Sequence, residues 1–417
     1  MSGKYPRIIV IGAGIVGVCT GLFLQRAGHS VTIIDPKQPG RGTSFGNAGA
    51  IAQTEFMPIA EPGIAWKVPG YLFDPLGPLS IKLGYAWRLW PYMSRFLAAA
   101  NPDRFEAGAQ AMAALLAPAF EDHGTILQSS GLGHLLSRGG HIWVYKSEAA
   151  RAASAAEWAL RERLGYRCEA LDRAGVEHYE PALSARAACG YRTEDWGHYA
   201  DPKALVLGLM DHLRQRGVAF CSGEVFDIEI KEGRPTAVFS RGENRLAFDH
   251  LVIAAGAWSH HLSNRLGDYC PLETERGYNT TLPSPDVQVN AMVTFAEERF
   301  VMTPMSMGLR IGGAVEFAGL KAPPNYSRAQ ALLKLANRYL PDLNTSGGTE
   351  WMGHRPSTPD SLPVIDRSQR FDNIYYAFGH GHLGLTGSAT TGRLIASLVR
   401  GEDPGIDLAP FRIARFD

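Results

Sequence analysis

The chain reads as an α/β protein, with a Rossmann-like nucleotide-binding domain interleaved with an α+β domain built on an antiparallel sheet. Three observations predict this. The opening 35 residues run strand, glycine turn, helix, strand; a second glycine-rich turn leads into a helix near the end; and residues 271–319 change to longer apolar strand patterns.

RIIVIGAGIVG opens the chain and SVTIID closes its first unit at Asp35. Gly12 suits the tight turn, Gly14 lets backbone approach a pyrophosphate, and Gly17 with Gly21 allows the helix to pack closely on the strands. Ile15 and Val16 begin that helix, whose unpaired N–H groups and dipole favour phosphate. Asp35, with Pro36 after it, stands where a carboxylate takes ribose hydroxyls and repels a 2′-phosphate, which argues against NADP. A glycine turn alone also serves as a plain helix cap; the flanking strands and the terminal acid favour a nucleotide.

A glycine-rich loop from Gly40 to Ile51 comes next, then a stretch to Leu97 rich in Pro and in aromatics, among them Trp66, Tyr71, Phe73, Tyr85, Trp87, Trp90 and Tyr92, with Lys67, Lys82, Arg88 and Arg95 between them. One reading is a surface that rests on a membrane. The favoured one is a lid over the active site, because large apolar side chains are more often core. Helices are predicted over 102–128, with a break near Pro118, and over 147–164, with Ser147 as N-cap. Asp201 and Pro202 start another, which Gly217 ends. Short strands follow near 218–221, 225–230, 236–240 and 250–254. The longer strands are ETERGYNTTL, NAMVTF, RFVMTPM and LRIGGAVEFAGL; a helix over 327–339, the strand NIYYAF and a helix over 385–399 complete the chain. The resulting division is a nucleotide domain from 1–60, 147–265 and 350–417, and a substrate-binding and lid domain from 61–146 and 266–349.

The 417 residues hold 41 Lys plus Arg and 41 Asp plus Glu, so no net charge draws nucleic acid. Five cysteines without CxxC spacing argue against structural zinc and a disulfide framework. No signal-peptide pattern and no apolar run of about 18 residues is present. The expected location is cytoplasmic, with peripheral contact at the inner face of a membrane left open. Ser44 and Ser259 lack a nucleophile elbow, so hydrolysis has no support. His380 and His382 have no acid or thiol nearby in sequence, and no metal is expected.

GHGHLGLTGSATTG is the second place where strand, small residues and helix start coincide. Gly381, Gly384 and Thr386 can bring N–H groups to the carbonyl end of a flavin, and the following helix can stabilise negative charge there. A nicotinamide dehydrogenase needs one such fingerprint, whereas FAD in an extended pose recruits several distant segments.

Taken in order, RIIVIGAGIVGVCTGLFLQRAGHSVTIID, TSFGNAGAI, HLVIAAGAWS, GHRPSTPDSLPVID and GHGHLGLT resemble the FAD-dependent D-amino-acid dehydrogenase and oxidase family, which also contains glycine oxidase and sarcosine oxidase. The bacterial D-amino-acid dehydrogenase branch is the nearest in pattern. The resemblance implies a nucleotide domain of the glutathione-reductase type. It places Thr43, Ser44, Asn47, Ala48, Gly49 and Ile51 beside the isoalloxazine and pyrophosphate, Val225 at adenine, Ala254, Ala255 and Gly256 by the ribityl chain, and Gly381, His382, Leu383, Gly384, Leu385 and Thr386 at the pyrimidine edge. It gives Arg355 the substrate carboxylate, a role that suits a planar, permanently charged guanidinium. The alternative for Arg355 is an ion pair with Asp360 or Asp366. Tyr278 is expected to add its hydroxyl to the same carboxylate or lie over the flavin, while structural roles fit Arg276, Arg310 and Glu316 better. No cysteine follows Cys270, so the FAD is expected to be non-covalent.

The implied activity is oxidative deamination of a small D-amino acid, with D-proline or cis-4-hydroxy-D-proline as attractive cases. Hydride passes from Cα to flavin N5 and electrons go on to a quinone or an electron-transfer protein. It needs no protein nucleophile, and no strong base if the amine arrives neutral. The alternatives are a glycine or sarcosine type oxidase that makes hydrogen peroxide, and a flavin-binding electron-transfer subunit of a complex.

Overall fold

The computed structural model describes residues 6–73, 77 and 79–417, apart from the side chains of Pro69, Phe73 and Leu83. The opening unit forms as expected: β1 (Arg7–Ile11), α1 (Ile15–Arg26) and β2 (Ser30–Asp35). β1 is apolar at every position after Arg7 and β2 buries Val31, Ile33 and Ile34, because the sheet they join is covered on both faces. That sheet has six strands in the order Ala219–Ser222, β2, β1, His250–Ile253, Ile374–Phe378, Val364–Arg367, the first five parallel and the last antiparallel.

On one face α1 packs between helices Pro202–Gln215 and Ser388–Arg400. The contact with the second is backbone-close: a Cβ on Gly392 would meet the Cys19 carbonyl at 2.8 Å. The three-stranded meander Glu224–Lys231, Arg234–Arg241, Asn244–Ala247 covers the other face.

The second sheet has nine strands. Its main path runs Thr349–Ser357, Glu273–Leu282, Gly308–Phe317, Phe300–Met305, Met292–Phe295, His141–Tyr145, Cys189–Thr193, Cys168–Leu171, and Leu79–Ile81 pairs beside Gly308–Phe317. The expected antiparallel sheet is present, with two parallel pairings within it, Met292–Phe295 with His141–Tyr145 and Leu79–Ile81 with Gly308–Phe317. Strands Cys168–Leu171, Cys189–Thr193 and Thr349–Ser357, assigned by sequence to the nucleotide domain, belong to this sheet because their backbone ladders pair with it.

Helices Ile64–Phe73, Ala86–Ala99, Pro102–Leu116 and Ala119–Ser130 lie between the two sheets in sequence. The predicted break falls at 117–118, and the Ser147 and Asp201 caps form, accepting from the N–H groups of Ala150 at 3.2 Å and Ala204 at 3.0 Å. The Ser147 helix breaks at Ser154, and the last long helix starts at Ser388 rather than 385. No helix among the described residues is long and apolar enough to cross a membrane.

Candidate active site

Gly12 adopts φ +113°, and a Cβ there would sit 2.2 Å from the Ala254 carbonyl oxygen, so the turn closes only as glycine. Gly14 then caps α1 with no side chain of its own, and the first helical N–H, that of Ile15, donates to Ser44 Oγ at 2.9 Å. That N-terminus opens onto a cavity of about 1100 Å³. The Asp35 carboxylate is aimed at the same space by the N–H groups of Ala13 (2.9 Å) and Lys37 (2.8 Å); burial raises its pKa, and those two bonds oppose the shift.

The second sheet holds the 43–49 loop against the cavity. Asn279 Nδ2 donates to the Gly46 carbonyl and Arg310 Nη1 to the Asn47 carbonyl, both at 2.6 Å, and Thr43 Oγ1 donates to the His354 carbonyl at 2.6 Å. Burial pushes Arg310 down to about 10. The C-terminal loop is tied to Ala50–Ala52, with Thr386 Oγ1 bonding the Ala50 carbonyl and the Ala52 N–H at 3.1 Å each. His123, pushed by burial to about 4, bridges Tyr199 to the carbonyls of Leu385 and Thr386.

Of the cofactor residues expected from sequence, Gly12, Gly14, Ile15, Val16, Asp35, Pro36, Thr43, Ser44, Asn47, Ala48, Gly49, Val225, Ala255, Gly256 and Gly381 to Thr386 all line this cavity. Two do not. Gly17 packs against the turn, where a Cβ would meet the Gly12 carbonyl oxygen at 2.0 Å. Ile51 is fully buried in the core, while Ala50 and Ala52 on either side of it line the cavity, as alternation along a strand requires.

Arg355 is set by the strand Thr349–Ser357. Its guanidinium lies flat on Gly277 of the neighbouring strand, where a Cβ would come within 2.5 Å of its Cζ. It is recessed in the protein yet open to the cavity, and no hydrogen bond or ion pair among the described residues holds it. Burial lowers its pKa, and Glu275 on the adjacent strand opposes the shift. The proposed structural partners are engaged elsewhere: Asp360 pairs with Arg415 at 2.7 Å, and Asp366 accepts from the N–H groups of Arg367 and Ile413. His382 opens onto the same space, and burial together with Arg355 pushes it to about 4.

Tyr278 borders the cavity, but its hydroxyl is engaged elsewhere, against the first of the two roles expected for it. The hydroxyl donates to Glu316 Oε2 at 2.5 Å and accepts from the Asn325 N–H at 3.0 Å, beside the ion pair of Arg276 with Glu316. The residues that sequence reasoning missed are Glu275, Gly277, Asn279 and Gly46. The available signal was the acid inside ETERG, an unusual residue for a strand buried at nearly every position.

The aromatic stretch divides between the cavity and the surface. Tyr71, Tyr92, Met93 and Phe96 line the cavity from helices Ile64–Phe73 and Ala86–Ala99. Trp66, Trp87 and Trp90 on the same helices point outward, 90%, 70% and 68% exposed.

Residues 7–398 match the family model described as FAD dependent oxidoreductase. The chain belongs to that family of FAD-dependent oxidoreductases. It is 38% identical to a D-amino-acid oxidase of Bradyrhizobium diazoefficiens, covering 98% of this chain and 99% of the relative. It is 30% identical to a D-amino acid dehydrogenase of Sinorhizobium medicae over 98% and 100%. Its fold is that of L-proline dehydrogenase from P. horikoshii, with a TM-score of 0.76 at 18% identity over 99% and 98% of the two chains. The cavity fits the family's cofactor: a glycine-lined helix N-terminus suits its phosphates, a presented carboxylate suits a ribose, and the volume exceeds the roughly 300–1,000 Å³ of a drug-sized ligand site.

Proposed function

We propose that the protein oxidises a small D-amino acid to its imino acid, which water converts to a 2-oxo acid and ammonia. The observation that carries this reading is the unpaired Arg355 guanidinium facing the cavity. Bound FAD supplies the hydride acceptor at N5. Gly12, Gly14, Ile15 and Val16 would receive its pyrophosphate, Asp35 and Pro36 its ribose, Val225 its adenine, Ala255 and Gly256 its ribityl chain, Thr43 to Gly49 its ring system, and Gly381 to Thr386 its pyrimidine edge. Arg355 takes the substrate carboxylate through two parallel hydrogen bonds. The inner faces of the lid helices close an apolar wall over the side chain and keep water out. Handedness follows from which face of Cα is presented once the carboxylate is held.

Electrons leave to a quinone or an electron-transfer protein in this reading. A second reading, an oxidase, is favoured by the 38% identity to a D-amino-acid oxidase. We further place the exposed Trp66, Trp87 and Trp90 face, flanked by Lys82, Arg88 and Arg95, on an anionic lipid surface, where tryptophan and basic side chains favour the interface. Co-sedimentation with phosphatidylglycerol vesicles, lost on changing all three tryptophans to serine, checks that contact.

The deciding experiment is anaerobic bleaching of the flavin by a panel of D- and L-amino acids, glycine, sarcosine, D-proline and cis-4-hydroxy-D-proline. Reduction by D-amino acids is expected; a flavin that none of them bleaches refutes the reading. Stoichiometric peroxide in air identifies the oxidase.

A further inference from the structure

Glu275 and Arg355 stand opposite each other on the paired strands, and both line the cavity. Their charges are opposite, yet no ion pair within 4.0 Å joins them. The reason is geometric: Arg355 lies over Gly277, two residues along the strand from Glu275, a backbone offset of roughly 6–7 Å. An α-amino acid carries its two charges on neighbouring atoms of one carbon. With hydrogen bonds of about 2.8 Å at each end, such a zwitterion spans a gap of that size. Glu275 is itself buried, and the neutral hydroxyls of Ser357 and Tyr92 beside it offset only part of the cost of its charge, so a cation arriving there is favoured.

We propose, on the reading above, that Glu275 receives the substrate ammonium and accepts its proton, so that the amine is neutral when Cα is oxidised. One N–H bond breaks and one carboxyl O–H bond forms; the nitrogen keeps the electron pair. The neutral amine is then ready for oxidation at Cα, for which bound FAD would supply the hydride acceptor.

The surroundings suit this step. A water-sized void of about 10 Å³ adjoins Glu275 on the side of Ser357, His380 and His382, and the Ser357 hydroxyl lies beside the Glu275 carboxylate there. A single water in that void would pass the proton onward. The groups facing Glu275 are Arg355 on the adjacent strand, Glu273 on its own, Tyr92 from the lid helix, and His380 and His382 from the C-terminal loop. Burial pushes both histidines to about 4, so they are neutral near pH 7, and Tyr85 hydrogen-bonds Glu273 at 2.9 Å. Glu275 is therefore left as the carboxylate nearest the clamp.

The test uses the FAD-loaded enzyme, the fastest D-amino acid of the panel, and the same carboxylic acid without its amino group. In Glu275→Gln the second-order rate of flavin reduction should fall about 100-fold at pH 7. The deficit should shrink by about tenfold per pH unit as the free amine approaches its own pKa. Binding of the amine-free acid, read from the flavin spectrum, should stay within about twofold, because it needs Arg355 alone, and Glu275→Asp should recover part of the rate. A deficit independent of pH, or an equal weakening of the amine-free acid, overturns the proposal. Should neither variant retain flavin, the wild-type enzyme decides: the amino acid must bind at least about tenfold more tightly than its amine-free analogue at pH 7, and equal affinity overturns the proposal. A wild-type flavin that no D-amino acid reduces fails the parent reading instead.

Discussion

On one face of the paired strands Glu273–Leu282 and Thr349–Ser357, Arg355 and Glu275 confront an open cavity with neither charge in an ion pair. On the other face Arg276 is wholly buried, with Nε donating to the Gly319 carbonyl at 3.0 Å, Nη1 to Glu316 at 3.2 Å and to the Pro323 carbonyl at 3.0 Å, and Nη2 to the Ala322 carbonyl. Tyr278 completes that set through Glu316. Both faces use an arginine and a glutamate, and what separates them is completeness. Arg276 has found its partners within the chain and fixes the sheet, while Arg355 is recessed but unanswered and waits for an anion from outside.

Substitutions sharpen this contrast. The largest effect is expected from Arg276→Met, which strands Glu316 in the interior: denaturant unfolding should show a loss of about 3–5 kcal/mol, with the KM of the folded fraction unchanged. Arg355→Met should do the reverse. Loss of a charge-assisted double hydrogen bond, about 3 kcal/mol, predicts a KM raised about 100-fold in steady-state assays, with stability within about 1 kcal/mol of wild type. Unchanged kinetics would remove the carboxylate clamp. Gly277→Ala places a methyl group where the Arg355 guanidinium lies and should raise KM by about tenfold, a smaller version of the same defect. Tyr278→Phe should cost about 1–2 kcal/mol in chemical denaturation and leave KM alone; a raised KM would return this tyrosine to the site.

The smallest effect concerns acid. His382 has its folded pKa depressed from 6.5 to about 4, so the stability linked to its neutral form is complete above pH 6.5 and is lost as pH falls through 4. His382→Gln removes that dependence, and its urea midpoint should decline less than that of wild type between pH 7 and 4.

What was legible in sequence depended on how local the cause is. The glycine turn, Asp35, the Ser147 and Asp201 caps and the guanidinium of Arg355 each act within a few residues or through a distinctive side chain. Ile51 failed because a strand sends alternate residues to opposite faces, so an error of one position moves a side chain from the site to the core; the Tyr278 hydroxyl was misplaced because its partner, Glu316, comes 38 residues later. Glu275 and Gly277 were missed because their meaning lies in register with a strand about eighty residues later. Strands Cys168–Leu171 and Cys189–Thr193 read CEAL and CGYRT, too short and too little alternating to declare themselves.

The close seat of Gly392 on Cys19 has a consequence for biosynthesis. The glycine turn lies far in sequence from the strand Ile374–Phe378 and the helix Ser388–Arg400 that lock it into place. With contacts across that separation, this half of the protein folds with high contact order and stays open until both of those segments have been made. Loading of a prosthetic group then waits on residues 374–400, and a chain ending before residue 374 would emerge colourless however intact its glycine turn.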